Sequence, residues 1–211
     1  MSADKGEYRN ILSELGENVQ LVAVSKTKTA EDILALYAEG QRDFGENYVQ
    51  ELVDKQAHLP ADIRWHFIGH LQSNKLKYIL PFVHLIQGVD SLRLLKEIER
   101  QAVRAGRTVD VLLQVHIARE ETKFGFGADE IGEAVSAPRE GVRIRGLMGM
   151  ASNTQDTAAI RSEFRVLKGL FDRWFRDGGI LSMGMSADYR IAIEEGSTMV
   201  RIGSLLFGRR G

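Results

Sequence analysis

Apolar runs and amphipathic stretches alternate along the whole chain, and their order predicts its secondary structure. Short runs rich in Val, Leu and Ile are typical of strands buried on both faces of a parallel sheet. We expect eight strands, at residues 19–25, 43–45, 63–69, 83–87, 109–117, 142–148, 180–183 and 199–203. Helical spacing of apolar residues separates these runs and is clearest over residues 160–174, where the steps are four and three.

Eight strand–helix units in 211 residues average about 26 residues each, which is close to the minimum for a (β/α)8 barrel. We therefore predict an α/β fold, a TIM barrel that forms one domain over residues 1–211 and carries a short N-terminal helix. An open, doubly wound sheet is the alternative, because periodicity does not reveal whether a sheet closes.

The composition narrows the classes of function. Lys and Arg number 28 against 29 Asp and Glu, so the formal charge of −1 gives no electrostatic argument for nucleic acid or an anionic membrane as a partner. The chain contains no Cys, which excludes disulfides, thiol nucleophiles and Cys-bound metals. No apolar run has the form of a signal peptide or the length of a membrane span, so we expect a cytoplasmic protein.

Three familiar motifs are incomplete. Residues 40–45 have the glycine spacing of a phosphate loop, but Glu46 stands where such a loop needs Lys. Residues 184–188 resemble a nucleophile elbow that lacks its last glycine. His66 and His70 are four residues apart, as zinc ligands often are, but no Glu lies between them and the segment has a strand pattern. We therefore expect no metal site.

Lys26 directly follows the apolar run at residues 21–25. At the carboxyl end of a barrel strand, such a residue lies in the active-site mouth. Desolvation there favours the neutral amine, which attacks carbonyl groups and forms Schiff bases. The alternative is a lysine that has left the strand and points into water.

Small residues follow the last two predicted strands, at Ser186 and at Gly203–Ser204, and each loop leads into a short helix. In TIM barrels these two loops commonly form a phosphate site, where backbone N–H groups approach the anion. The alternative is ordinary turn chemistry, since Ser and Gly favour turns and helix caps. Together with a Schiff-base lysine, the loops suggest a phosphorylated aldehyde as the ligand.

Arg201 lies inside the last predicted strand, between Val200 and Ile202, where a guanidinium group needs a partner. Near a phosphate loop, it is placed to donate a hydrogen bond to the pyridine nitrogen of pyridoxal phosphate. Because Arg stays charged, it would keep that nitrogen unprotonated and weaken the ring as an electron sink. The alternative is a salt bridge to Glu194 or Glu195.

Five sequence motifs that follow one another along the chain make it recognisable. They lie at residues 23–28, 44–47, 65–75, 184–188 and 200–204. They resemble the pyridoxal phosphate homeostasis protein family, which is similar to the N-terminal barrel domain of alanine racemase. The resemblance extends from about residue 19 to residue 208, which is nearly the whole chain. It implies a barrel that holds pyridoxal phosphate as its cofactor.

The resemblance also implies a role for individual residues. Lys26 would carry the cofactor as a Schiff base. The phosphate would lie against Ser186, Gly203 and Ser204, and Arg201 would face the pyridine nitrogen.

Three further positions match the family around the ring and the mouth of the barrel. These are Asn47, His66 and Ser91. Residues 72–75 match a family signature whose role does not follow from the residues themselves.

Two functions remain to be compared, a carrier of pyridoxal phosphate and an amino-acid racemase. A racemase of the alanine type needs a second base, a tyrosine that a separate β-domain supplies, and the predicted barrel leaves no chain for that domain. None of the five tyrosines is an obvious replacement, and they are Tyr8, Tyr37, Tyr48, Tyr78 and Tyr189. We favour a non-catalytic carrier over a racemase and over a phosphosugar-binding barrel. The expected partners are pyridoxal phosphate and apo-enzymes that depend on it, and the expected state is a monomer.

Overall fold

The computed structural model of the protein describes residues 3–120 and 124–208. The remaining parts of the predicted domain, residues 1–2, 121–123 and 209–211, lie outside the described residues. Eight parallel strands form a closed barrel in chain order, with the first strand paired to the last. The predicted TIM barrel is confirmed, and the alternative of an open sheet is wrong.

The strands are β1 (Gln20–Val24), β2 (Asp43–Glu46), β3 (Arg64–Phe67), β4 (Leu85–Val89), β5 (Val109–Val115), β6 (Val142–Gly149), β7 (Ile180–Met185) and β8 (Met199–Ile202). The helices are α1 (Lys5–Leu15), α2 (Ala30–Tyr37), α3 (Val49–His58), α4 (Leu76–Ile79), α5 (Leu92–Arg104), α6 (Ile131–Ser136), α7 (Thr157–Trp174), α8 (Tyr189–Glu194) and α9 (Ser204–Phe207). A short 3-10 helix at Ser73–Lys75 leads directly into α4.

Polar side chains begin several of these helices. The hydroxyl of Thr29 accepts a hydrogen bond from the backbone N–H of Asp32 at the start of α2, as the capping-box spacing predicts. Ser91 begins α5 in the same way, and Asp156 begins α7 with two such bonds. These caps satisfy N–H groups that the first turn of a helix leaves without partners.

The clearest difference from the predicted elements concerns the fourth strand. The sequence predicts residues 83–87, whereas β4 spans Leu85–Val89. Val83 instead closes the preceding helical turn, because its N–H donates to the carbonyl of Ile79 at 2.8 Å. The apolar run is continuous across this junction, so periodicity alone does not separate the end of a helix from the start of a strand.

Two apolar clusters stabilise the barrel. The larger lies between the strands and the surrounding helices and includes Phe44, Phe164 and Leu167. The smaller fills the inside of the barrel, and its buried members are Val22, Leu85, Leu112, Met148 and Met199. Bulky apolar residues are the usual filling of such a barrel, so the polar side chains among them are exceptional.

No helix within residues 3–120 and 124–208 is long and apolar enough to cross a membrane.

We predict that Gly146→Ala destabilises the barrel by at least about 2 kcal/mol. Gly146 has a φ of 152°, and an added Cβ would lie 1.9 Å from the carbonyl oxygen of Ile180 on the neighbouring strand β7. Strained backbone and overpacking each cost about 1–3 kcal/mol. Urea denaturation of the purified variant measures the loss.

Gly169→Ala is the matched control for this prediction. Gly169 lies within α7, and no atom lies within 4 Å of the added Cβ. This variant should be stabilised by about 0.5–1 kcal/mol, because Ala favours a helix more than Gly does. Equal unfolding midpoints for the two variants would contradict the packing described at Gly146.

Candidate functional site at the barrel mouth

A cavity of about 340 Å³ opens at the carboxyl ends of the barrel strands. Its lining contains six of the eight residues that the sequence predicts for the site. These are Lys26, Asn47, Ser186, Arg201, Gly203 and Ser204. The apolar part of the wall comes from Val24, Ile68, Met150 and Met185. The volume lies within the range that is usual for small-molecule sites.

Lys26 reaches the cavity because of strand alternation. Side chains two residues apart share one face of a strand, and Val22 and Val24 point inward from β1. Lys26 continues this series just beyond the strand and is half-buried in the cavity wall. The alternative of a fully solvated lysine therefore does not describe its position. Lys28 also lines the cavity, and its Nζ donates to the carbonyl of Phe207 at 2.8 Å.

The loops after β7 and β8 meet at one side of the cavity. The backbone N–H of Gly203 donates to the hydroxyl of Ser186 at 3.2 Å, which joins the two loops directly. A side chain on Gly203 would crowd the backbone of β1, because its Cβ would lie 3.2 Å from the carbonyl oxygen of Val24. Small residues in these loops leave the backbone accessible to a bound anion.

Arg201 projects from β8 and is only 4% exposed. Its Nη1 donates to the hydroxyl of Ser182 at 2.6 Å, and its Nη2 donates to the carbonyl of Gly149 at 3.1 Å. Burial lowers the pKa of Arg201 to about 10, against the opposing effect of the Asp188 carboxylate. Arg201 is therefore still cationic at neutral pH.

The alternative partners that the sequence suggests for Arg201 are bound elsewhere. Glu194 pairs with Arg161 at 2.5 Å, and Glu195 pairs with both Arg161 and Arg165. The salt bridge between Arg201 and either glutamate is therefore wrong. The guanidinium is instead held by a hydroxyl and a carbonyl, which leaves its charge directed at the cavity.

A chain of polar side chains continues from Arg201 through the inside of the barrel. The Ser182 hydroxyl donates to Oε1 of Gln87 at 2.7 Å, and Nε2 of Gln87 lies 3.0 Å from Nδ1 of His66. Nε2 of His66 lies 2.9 Å from the Asp43 carboxylate. We call these four residues, Ser182, Gln87, His66 and Asp43, the polar column.

The direction of each hydrogen bond in the polar column follows from Arg201. A guanidinium only donates, so the Ser182 oxygen accepts from it and passes its own proton to Gln87. The carbonyl oxygen of Gln87 therefore faces Ser182, and its amide N–H donates to Nδ1 of His66. The imidazole must then carry its proton on Nε2, which donates to Asp43.

Asp43 ends the polar column at the amino-terminal side of the barrel. Burial favours the protonated carboxyl, but hydrogen bonds from Arg64 and His66 outweigh burial and lower the pKa of Asp43. Arg64 binds both carboxylate oxygens, at 2.8 and 2.5 Å. The column thus connects a buried cation at the mouth to a buried, paired carboxylate at the opposite end.

Residues 4–211 match the family described as alanine racemase, N-terminal domain. A pyridoxal phosphate homeostasis protein of Aquifex aeolicus is 41% identical over 203 residues, which cover 92% of this chain and 89% of that protein. The chain belongs to the pyridoxal phosphate homeostasis protein family. The human protein of the same name is 38% identical over 210 residues, covering 90% of this chain and 76% of that protein.

Solved structures show the same barrel as this member of the homeostasis family. PipY of Synechococcus elongatus, solved with PLP bound, is 36% identical, with a TM-score of 0.85 over 96% of this chain and 98% of that chain. An alanine racemase of Clostridium difficile is 17% identical, with a TM-score of 0.79 over 97% of this chain and 56% of that chain. At that identity, the similarity to the racemase concerns the fold alone.

Two positions matched to the homeostasis family, His66 and Ser91, do not line the cavity. His66 is fully buried two residues before Ile68 on the same face of the third strand, so it lies deeper in the barrel than the cavity floor. Both of its ring nitrogens are occupied within the polar column. Ser91 caps α5 by accepting from the N–H of Leu94, and it donates to Asp90. Neither side chain is available to the cavity.

The histidine pair considered as a metal site does not converge. His70 lies 2.9 Å from Asp90 and stacks on Phe124, far from the interior partners of His66. Within the described residues, Asp43, His66 and His84 do lie close enough to share an ion. Because Asp43 is already bound by a guanidinium and by His66, we assign it a structural role.

Two buried polar residues that support Arg201, Ser182 and Gln87, are not among the predicted site residues. Ser182 and Gln87 lie within apolar strands, which is the same signal that singles out Arg201. A polar residue in a strand that is buried on both faces requires a partner, so such positions were detectable. Their pairing was not detectable, because Ser182 and Gln87 are 95 residues apart in the chain.

We predict that nitrogen-15 NMR shows the proton of His66 on Nε2, with Nδ1 as the acceptor of a hydrogen bond from Gln87. The reason is the donor order imposed by Arg201 and Gln87. In Gln87→Glu, a carboxylate faces Nδ1 instead of an amide donor, so Nδ1 should become a hydrogen-bond donor to that carboxylate. A wild-type ring with its proton on Nδ1, or on both nitrogens, would contradict the donor order.

Proposed function

We propose that this protein binds pyridoxal phosphate at the barrel mouth, holds it covalently through Lys26, and buffers or delivers it without turning over an amino acid. The observation that carries the proposal is the convergence of three kinds of group on one cavity. They are an amine at Lys26, a cationic donor at Arg201 and small residues in the last two loops. These groups match the aldehyde, the pyridine nitrogen and the phosphate of that cofactor.

Pyridoxal phosphate supplies an aldehyde, which condenses with a primary amine with loss of water, and a ring that can accept electrons. Lys26 provides the amine from the end of β1. Ser186, Gly203 and Ser204 bind the phosphate through hydroxyl and backbone donors. Arg201 donates to the pyridine nitrogen and, because it stays cationic, keeps that nitrogen unprotonated.

The lining of the cavity supports binding without amino-acid chemistry. Racemisation of the alanine type needs a second positioned base beside the lysine, and such a base typically contributes 10²–10⁴-fold to the rate. Among the described residues that line the cavity there is no tyrosine, histidine or carboxylate. An unprotonated pyridine nitrogen also weakens the electron sink that a racemase uses. Both features favour the carrier over the racemase as the function.

The comparisons support the physiological part of the proposal. Relatives at about 40% identity are named pyridoxal phosphate homeostasis protein, and PipY was solved with PLP bound. We infer a role in vitamin B6 homeostasis, in which this protein supplies the cofactor to apo-enzymes in the cytoplasm. We also propose that it acts as a monomer, and the closed barrel leaves no described strand edge for pairing with a second copy.

We predict that Lys26→Ala abolishes covalent attachment of pyridoxal phosphate while the barrel still folds. Residues at a barrel mouth serve function, whereas stability is built elsewhere in the fold. Intact mass after borohydride reduction measures the adduct, and circular dichroism checks the fold. Lys28→Ala is the matched control, since Lys28 lines the same cavity two residues away and should leave the adduct on Lys26. Peptide mapping of the wild-type adduct to Lys28 or Lys75 would show that Lys26 is not the attachment point.

We predict that pyridoxal, which lacks the phosphate, binds at least about a hundredfold more weakly than pyridoxal phosphate. Charge-assisted hydrogen bonds contribute roughly 1.5–3 kcal/mol each, and about 1.4 kcal/mol corresponds to a factor of ten. Equilibrium titration followed by absorbance compares the two vitamers. Gly203→Asp should lose the phosphorylated form, because its carboxylate adds bulk beside Val24 and repels the anion. Equal affinity for both vitamers would exclude the phosphate site.

A further inference from the structure

The turn that carries Lys26 is strained. The N–H of Lys28 donates to the carbonyl of Ser25 at 3.0 Å, which closes a four-residue turn. Thr27 occupies its third position with a φ of 64°, the left-handed region that turns of this kind usually reserve for Gly. A β-branched residue is unfavourable there, so surrounding contacts must hold the turn in place.

Lys55 on α3 supplies one of these contacts. Its ammonium group donates to the carbonyl of Ser25 at 2.7 Å and to single carboxylate oxygens of Glu46 and Glu51, also at 2.7 Å. An ammonium has three N–H donors, and all three are used. The Lys55 side chain is 10% exposed, so these bonds are largely shielded from water.

The two carboxylates also bind the turn directly. Glu51 accepts from the backbone N–H of Thr27 at 2.5 Å, and Glu46 accepts from the hydroxyl of Ser25 at 2.6 Å. The residues on both sides of Lys26 are therefore tied to one charged cluster. We call Glu46, Glu51 and Lys55 the clamp.

The clamp lies outside the barrel wall, on the opposite side from the cavity. Ser25 and Glu46 project toward α3, while Lys26 and Asn47, the next residue along each chain segment, line the cavity. The clamp therefore does not touch a ligand in the cavity. Its effect on Lys26 passes through the backbone of residues 25–27.

The charges of the clamp explain why its parts occur together. Glu46 is fully buried, and burial raises the pKa of its carboxyl, while Lys55 and Ser25 oppose that shift. Loss of Lys55 would leave a buried carboxylate without its cation, which is strongly unfavourable. Any test of Lys55 must therefore separate a loss of stability from a loss of order in the turn.

We propose that Lys55 is a positioning residue for Lys26: held between Glu46 and Glu51, its ammonium group fixes the Ser25 carbonyl and thereby the strained turn that presents the Lys26 amine to the cavity. The proposal rests on the proposed function, since it concerns how the attachment point is presented. It also assigns a role to Glu46, which belongs to the matched segment 44–47, and to Glu51 and Lys55 on α3. None of these three residues lines the cavity.

The test uses Lys55→Met, the double variant Lys55→Met with Glu46→Gln, and Lys168→Met as a matched control. Lys168 and Asp172 form an exposed pair at the same four-residue spacing on a helix as Glu51 and Lys55. Lys55→Met should lower the melting temperature by several degrees. The added Glu46→Gln removes the unpaired charge, retains the acceptor for Ser25, and should restore most of the melting temperature.

Two readouts in the stability-rescued double variant decide the proposal. First, hydrogen exchange of the Thr27 and Lys28 amides, measured without cofactor, should be at least tenfold faster than in the wild type. Second, the rate at which borohydride traps added pyridoxal phosphate on Lys26 should fall at least tenfold, with the trapped lysine identified by peptide mapping. Lys168→Met should match the wild type in both.

The outcomes separate this proposal from the proposed function. If the double variant shows the same amide exchange and the same trapping rate as the wild type, Lys55 does not position Lys26. The proposed function would stand in that case, because the protein would still hold its cofactor. Faster trapping in the double variant would overturn the positioning role as well. If the wild type itself traps no pyridoxal phosphate, the proposed function fails, while the amide exchange still decides whether the clamp orders the turn.

Discussion

The guanidinium of Arg201 lies inside a closed barrel at 4% exposure, where a charge without hydrogen-bond partners would be strongly unfavourable. Ser182 and the Gly149 carbonyl bind it directly, and the polar column extends this support to Asp43. Because Arg201 can only donate, it imposes one direction on every bond of the column. A polar path therefore replaces part of the apolar filling that such barrels usually have.

The two charged groups of the site are held from opposite sides of the barrel wall. The polar column orders Arg201 from within, while the clamp orders the turn of Lys26 from outside, beneath α3. A ligand that needs both groups thus meets positions that are already ordered, which lowers the entropy cost of binding. Among its described lining residues, the cavity has no tyrosine, histidine or carboxylate that could act as a second base beside the lysine. A carrier of a reactive aldehyde requires firm binding without turnover, and this is the function that we propose for the cavity.

Much of the barrel can be predicted from the periodicity of apolar residues in the sequence. Strands buried on both faces produce apolar runs such as β5, and helices keep one apolar face, as α7 does. Lys26 and Arg201 are also visible in the sequence, since each is a charge at or within such a run. Only the family resemblance places His66 and Ser91 near the ring, and it reveals neither the depth of His66 along the barrel axis nor the capping of α5 by Ser91. The column joins residues far apart in the chain, and the clamp ties α3 to the turn at residues 25–27, so neither set of tertiary contacts follows from local pattern.

Binding of pyridoxal phosphate without amino-acid chemistry is the function that we propose for the site. Its most direct test incubates the cofactor-loaded protein with L-alanine in deuterated water and follows loss of the Cα proton by NMR. A carrier should show exchange no faster than that caused by the same concentration of free pyridoxal phosphate. Exchange at rates typical of enzymes, on the order of 1–10³ per second, would contradict this expectation and identify a racemase-type activity.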